Sequence, residues 1–313
     1  MNQKPQNPDE QPASIPATRS GMVAIVGRPN VGKSSLLNQL MGSKISIISD
    51  KPQTTRQRIL GVLTEPRGQV IFFDTPGLHK PGFEMNRRMV QSVYEAMRSA
   101  DLLLHLIDIS QSFGKGEQFM LDVVKKIKAP AILVLNKIDV TKKSRILEII
   151  DHYRGQHAYA AFVPTCALSG DGSAVLLDEI FRQLPPGGLL YDAGFITDFP
   201  ERFMIAELIR EKVLALTRQE IPYVSGVIID LYDTSRLATD NLVHIEASVI
   251  VEKSSQKGII IGRQGGLLKQ IGTQARQDIE SFLGQRVYLG LFVRTEPDWR
   301  NNSHILKEMG LLY

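Results

Sequence analysis

Val23-Ala24-Ile25-Val26-Gly27-Arg28-Pro29-Asn30-Val31-Gly32-Lys33-Ser34 is an apolar run followed at once by GxxxxGK[ST]. The run suits a buried strand, and the apolar spacing that follows predicts a helix over 33–41. A glycine-rich loop between strand and helix is the context a phosphate-binding loop requires. Its backbone N–H groups and the helix N-terminus surround an anion, and the glycines let the backbone close in. Gly27, Arg28, Pro29, Asn30, Val31, Gly32, Lys33, Ser34 and Ser35 are therefore candidate phosphate-binding residues. Lys33 is expected at the β- and γ-phosphates and Ser34 on Mg²⁺.

Moving outward, Asp74-Thr75-Pro76-Gly77 ends a second apolar run at 69–73. In isolation it would be a plain strand-end turn. After a phosphate loop, Asp74 is placed to hold Mg²⁺ through water and the Gly77 N–H to meet a γ-phosphate. Between these motifs, Gln53-Thr54-Thr55-Arg56-Gln57 offers hydroxyls to the metal in a polar segment, as a γ-phosphate-ordered switch would. Either Thr54 or Thr55 could be the ligand. Asn136-Lys137-Ile138-Asp139 follows a third run at 131–135. An acidic side chain at 139 can accept from guanine N1–H and the 2-amino group. Adenine has neither donor, so the pairing selects GTP over ATP. Pro164-Thr165-Cys166-Ala167 follows a short run and could present backbone N–H groups to guanine O6.

Strand candidates at 22–26, 69–73, 102–107, 131–135 and 161–164 alternate with amphipathic stretches at 33–41, 86–99 and 116–126. That order predicts an α/β domain over 21–186, a mostly parallel six-stranded sheet with helices on both faces. Leu184-Pro185-Pro186-Gly187-Gly188 stops a helix and opens a linker, placed at 187–200. Residues 1–20 are polar and proline-bearing, lack a signal peptide's apolar centre and read as a disordered leader. The 313 residues suit two domains, and their 43% apolar and 22% charged content is that of a globular protein. No apolar stretch approaches the about 18 residues of a membrane span. The single cysteine, Cys166, excludes an intrachain disulfide and suits a reducing cytoplasm.

Residues 201–313 change style. A helix is expected at 202–217, strands at 223–231 and 242–251, helices at 257–262 and 265–283, and a closing strand at 286–294. This α-β-β-α-α-β order is α+β. Gly262-Arg263-Gln264-Gly265 places a GxxG between the two short helices, a loop whose backbone can press against a nucleic-acid strand and clamp about four nucleotides. From 253 to 277 the chain carries Lys253, Lys257, Arg263, Lys269 and Arg276 and no acidic residue. The net charge of +4 alone says little; this local stripe points to RNA. Lys257, Gly262, Arg263, Gln264, Gly265 and Lys269 are the candidate RNA-binding residues. Trp299 could stack on a base, but a lone tryptophan near a domain end is more often a packing anchor.

These motifs, with the segment 53–59, Asp74 to Pro81 and Asp298-Trp299-Arg300, resemble the Era family of GTPases over nearly the whole chain beyond the leader. The resemblance implies a P-loop GTPase domain followed by a type II KH domain. It implies GTP/GDP and Mg²⁺ as ligands and small-subunit rRNA near its 3′ end and the 30S subunit as partners. A monomer in the cytoplasm is expected, with peripheral contact at the inner membrane left open. The family's usual serine is replaced by Cys166, and its lysine-bearing GxxG by Arg263-Gln264. Leu78 stands where Ras-like enzymes place a water-orienting glutamine, so intrinsic hydrolysis should be slow unless another group acts. Related enzymes suggest two aids: K⁺ held with help from Asn30, and a backbone group of the switch that positions the water. Catalytic roles thus fall to Asn30, Lys33, Thr54 or Thr55, and Gly77; His79 is a weaker candidate base. Leu78 also keeps open an RNA-binding factor that holds GTP only as a structural ligand.

Overall fold

A computed structural model describes residues 18–51, 54–77 and 83–311. Gln53, Leu78, His79 and most of the leader lie outside the described residues. The first domain runs β1 (Arg19–Val26), α1 (Lys33–Met41), β2 (Ile59–Glu65), β3 (Gly68–Asp74), α2 (Glu84–Ser99), β4 (Leu102–Asp108), α3 (Lys115–Val124), β5 (Ala131–Asn136), α4 (Lys143–Arg154), β6 (Ala161–Thr165) and α5 (Ser173–Gln183). Its sheet has the order β2-β3-β1-β4-β5-β6, and only the β2/β3 pair is antiparallel.

Successive strand residues point to opposite faces, and both faces are buried. Val23 and Ile25, with Phe72 and Leu104, pack under Leu36 and Leu40 of α1 and Ile180 of α5. Ala24, Val26, Ile71 and Phe73 pack on the other side against Val93 and Met97 of α2 and Met120 and Val124 of α3. The phosphate loop, Asp74, Asn136 and Thr165 all sit at the carboxyl ends of parallel strands, where open α/β sheets place ligands.

The second domain runs α6 (Glu201–Leu216), α7 (Ile221–Val224), β7 (Gly226–Asp233), α8 (Leu237–Asp240), β8 (Leu242–Val251), α9 (Ser254–Ile261), α10 (Gly266–Leu283), β9 (Arg286–Thr295) and α11 (Ser303–Glu308). Its sheet is β7-β8-β9, antiparallel then parallel. One face, with Val243, Ile245, Val249 and Val293, packs on Ile209 of α6 and Ile271 and Ile279 of α10. On the other, Ile228 and Ile250 meet Trp299, Leu306 and Met309, and also Met85 and Met89 of α2. The two domains therefore share an apolar contact.

Among the elements that periodicity did not reveal are the edge strand β2 and helices α4, α5, α7, α8 and α11. The strand expected from 223 begins instead at Gly226, because residues 221–224 form a helical turn with Pro222 in its first turn. Residues 187–199 lie on the first domain: Gln69 Oε1 accepts from the N–H groups of Leu190 and Tyr191, each at 2.8 Å, and the Val62 N–H donates to the Ile196 carbonyl at 2.8 Å. Trp299 is fully buried and donates to the Val224 carbonyl at 2.9 Å, as a packing anchor does. Among the described residues, no helix is long and apolar enough to cross a membrane.

Candidate nucleotide and RNA sites

The phosphate loop joins β1 to α1 as the sequence predicts. Gly32 has φ 101, and a Cβ there would stand 2.4 Å from Asn136 Nδ2, so both conformation and space demand glycine. Lys33 is buried, and its Nζ donates to the carbonyls of Gly27 (3.2 Å) and Arg28 (2.9 Å). Burial pulls its pKa down to about 8. The Arg28 side chain pairs with Glu117 of α3 at 3.3 Å, and Val31 is buried in the core. Pro29, Asn30, Gly32, Lys33, Ser34 and Ser35 line a narrow cleft with residues 47–49, Thr54, Thr55 and Gly77. Gly77 lies so close to the loop that a Cβ would stand 2.8 Å from Pro29 Cγ.

Asp74 is fully buried. Its Oδ2 accepts from Ser34 Oγ (2.6 Å), Ser46 Oγ (3.2 Å) and Thr55 Oγ1 (3.4 Å), and the two hydroxyls of Ser34 and Thr55 stand 3.0 Å apart. Asp74 Oδ1 is buried with no hydrogen-bond partner among the described residues. A buried carboxylate with one orphaned oxygen beside two hydroxyls is an all-oxygen donor set of the kind Mg²⁺ takes. Burial raises the Asp74 pKa in the absence of a cation, and a bound divalent ion reverses that logic. The choice between threonines, open in the sequence, has a geometric counterpart. Thr54 Oγ1 donates to the Lys51 carbonyl at 2.6 Å, whereas Thr55 turns toward Ser34 and Asp74. Thr75, expected at the nucleotide, donates instead to the Ile25 carbonyl at 2.8 Å and anchors β3 to β1. Pro76 follows it, buried, and Asn30, at φ 64, donates its side-chain amide to the Asp50 carbonyl at 2.6 Å.

On the base side, Asn136 is a hub. Its Nδ2 donates to the Val31 carbonyl at 2.8 Å, and its Oδ1 accepts from the Ala167 N–H at 3.0 Å. Lys137, at φ 70, donates to the Asn30 carbonyl (3.1 Å) and to Asp108 (2.7 Å). Asp139 is exposed on the next turn. The N–H groups of Cys166 and Ala167 are the candidates for guanine O6. In this structure Cys166 N–H donates to the Asp171 carbonyl at 2.9 Å and Ala167 N–H to Asn136, so the segment buttresses Asn136. Asp108 and Ser46 were missed; Asp108 ends a buried strand, as Asp74 does, and that was the available signal.

In the second domain, the loop between α9 and α10 holds Gly262, Gln264 and Gly265 at φ 72, 51 and 75. A Cβ on Gly262 would stand 2.7 Å from Leu267 Cβ. Arg263, Gln264 and Lys269 are exposed around it, with Lys257 half-buried on α9.

A family model described as 50S ribosome-binding GTPase matches residues 22–137, and a KH domain model matches 221–300. The chain is 46% identical to the GTPase Era of Geobacter metallireducens over 93% of its own length and 97% of the relative's. It is 47% identical to that of Heliobacterium modesticaldum, with the same two coverages. Two solved structures superpose over 95% of the chain and 100% of their own, each with a TM-score of 0.90 and 39% identity. One is a single-substitution variant of Aquifex aeolicus Era bound to GDP·AlF₄⁻. The other is Era in complex with MgGDPNP and nucleotides 1506–1542 of 16S ribosomal RNA. With this identity spanning both domains, the chain belongs to the Era family of GTPases, built as a P-loop GTPase domain followed by a KH domain.

Proposed function

We propose that this chain binds GTP with Mg²⁺, hydrolyses it to GDP and phosphate, and uses the nucleotide state to govern how its KH domain holds small-subunit rRNA near the 3′ end. It would act as a switch in 30S subunit assembly and rRNA maturation. The observation that carries this reading is the meeting of Ser34, Thr55 and Asp74 oxygens within 3.4 Å at the mouth of the phosphate loop. Thr55 comes from the one segment of this trio that a γ-phosphate can order or release. Asp139 reads the guanine edge, and Lys33 neutralises the β- and γ-phosphates. The RNA-bound relative supports the second half of the reading.

Leucine at 78 cannot orient water, so hydrolysis rests on charge stabilisation by Lys33 and Mg²⁺, with K⁺ as a further counter-charge. Asn30 spends the donor end of its amide on Asp50, and the acceptor end is the one a cation would use. The test is steady-state phosphate release from GTP and ATP, in K⁺ and in Na⁺, with and without RNA of that 3′ region. GTP-selective turnover that K⁺ and RNA both alter supports the reading. Equal use of ATP, or turnover indifferent to RNA, overturns it.

A further inference from the structure

The segment bearing Thr55 is gripped by the second domain at several points. In α6, consecutive buried residues do this. Glu211 Oε1 accepts from the Ile48 N–H at 2.9 Å, and the Arg210 guanidinium donates to the Thr54 carbonyl. Arg210 is itself oriented by Glu207, whose Oε1 lies 2.7 Å from Arg210 Nε. Glu211 Oε2 also takes Lys44 Nζ at 2.6 Å. In the reverse direction, Arg56 reaches out of the segment and donates to the Ser225 carbonyl at 2.8 Å and the Pro222 carbonyl at 3.3 Å. Thr55 lies between two residues whose backbone or side chain is held by the KH half. Its hydroxyl is thereby kept 3.0 Å from Ser34.

We infer that Arg210 and Glu211 are positioning residues for the GTPase reaction, supplied by the RNA-binding domain. They hold the loop so that Thr55 meets the metal without touching nucleotide themselves. The inference rests on the reading of Thr55 as a Mg²⁺ ligand in the GTP state. There is also a route to RNA. Asp278 of α10 takes Lys212 Nζ at 2.5 Å and Lys44 Nζ at 3.3 Å, and α10 is the helix that starts at the GxxG loop. A strand of RNA seated on that loop therefore acts on a rigid rod whose far half is ion-paired to the residues flanking the switch.

Plain interdomain glue and a positioning role make different predictions. The loop ordered by γ-phosphate matters to the triphosphate and little to the diphosphate. Calorimetry on the full chain with Mg²⁺ should measure Kd for GDP and for a non-hydrolysable GTP analogue, alongside kcat and KM for GTP. Glu211→Ala should weaken the analogue about tenfold, the effect of losing one charge-assisted hydrogen bond, and lower kcat, with GDP affinity within about twofold of wild type. Glu211→Gln keeps an acceptor for the Ile48 N–H and should recover most of the loss. Arg210→Lys keeps the charge but cannot serve Thr54 and Glu207 with one planar fork. It should weaken the analogue selectively too, and it carries the test if Glu211→Ala does not fold. Equal losses for both nucleotides, no loss for either, or no recovery in Glu211→Gln would each overturn the inference. A wild-type chain that fails to bind the analogue would instead defeat the underlying reading.

Discussion

Asn136 joins the two ends of the nucleotide cleft: its side-chain amide donates to the Val31 carbonyl in the phosphate loop at 2.8 Å while its oxygen accepts from Ala167 at 3.0 Å. The side chain is 2% exposed, so neither partner has water as a substitute. Asn136→Ala should therefore cost about 2–4 kcal/mol of domain stability, about 1–2 for each group left unpaired. GDP affinity should fall with it, because the 136–139 segment is no longer tied to the phosphate loop through Val31. Urea unfolding and GDP calorimetry check the pair; wild-type affinity in a destabilised variant would separate the two roles.

Asp139 is exposed, and the proposed reading has it accept from guanine N1–H and the 2-amino group. Asp139→Asn turns one acceptor into a donor. The variant should lose GTP affinity by about 100-fold and gain relative affinity for xanthosine nucleotides, which present a carbonyl where guanine has its amine. Competition between GDP and XDP measures the exchange, and an unchanged preference would remove Asp139 from base recognition.

Lys33 titrates near 8 in the nucleotide-free protein against an ordinary 10.5. Between these values the unfolded chain binds the extra proton, so nucleotide-free stability should rise as pH climbs from about 8 to about 10. Phosphate favours the ammonium form, so GDP binding near pH 8 should take up a proton, and affinity should decline above that pH. Binding enthalpies in two buffers of different ionisation heat report the uptake. Lys33→Arg, which stays charged, should abolish it.

Arg263 projects from a loop held by positive φ at Gly262, Gln264 and Gly265. Arg263→Ala removes one positive charge from that loop, which the proposed reading sets against an RNA phosphate. RNA affinity should then fall for every sequence alike, and the slope of log affinity against log salt should shrink by about 0.7. A sequence-dependent loss at constant slope would mean that Arg263 reads a base.

Most strands and the phosphate loop were legible because buried parallel strands announce themselves as short apolar runs ahead of glycine-rich turns. β2 was not: it lies at the sheet edge, where its outer residues are half-exposed and its pattern is weak. Thr54 and Thr55 were indistinguishable by chemistry; the Lys51 carbonyl at 2.6 Å from one and Ser34 at 3.0 Å from the other separate them. Arg210 and Glu211 fall inside the helix expected at 202–217, with nothing in that pattern to single them out. Their partners Thr54 and Ile48 lie more than 150 residues earlier in the chain, beyond the reach of periodicity. Spacing brought Cys166 and Ala167 to the cleft but could not show that their N–H groups bond Asp171 and Asn136.

Trp299, the only tryptophan, closes the apolar contact between the domains, with the Arg56 guanidinium 5.6 Å from its ring. Its Nε1–H is committed to the Val224 carbonyl in a site with no solvent access. Trp299→Phe keeps most of the packing but leaves that carbonyl unpaired and a small void, for a loss of about 2 kcal/mol. Trp299→Ala also opens a cavity among Ile250, Leu306 and Met309, for a loss of about 3–5 kcal/mol. Far-ultraviolet circular dichroism in urea should show the midpoint falling in that order at constant slope if only stability changes. A slope that drops in Trp299→Ala would mean that the domains come apart before either unfolds, which would make this residue the latch of the interface. The GDP affinity of the same samples decides between the outcomes: a first domain that parts intact keeps it, and one that melts with its partner does not.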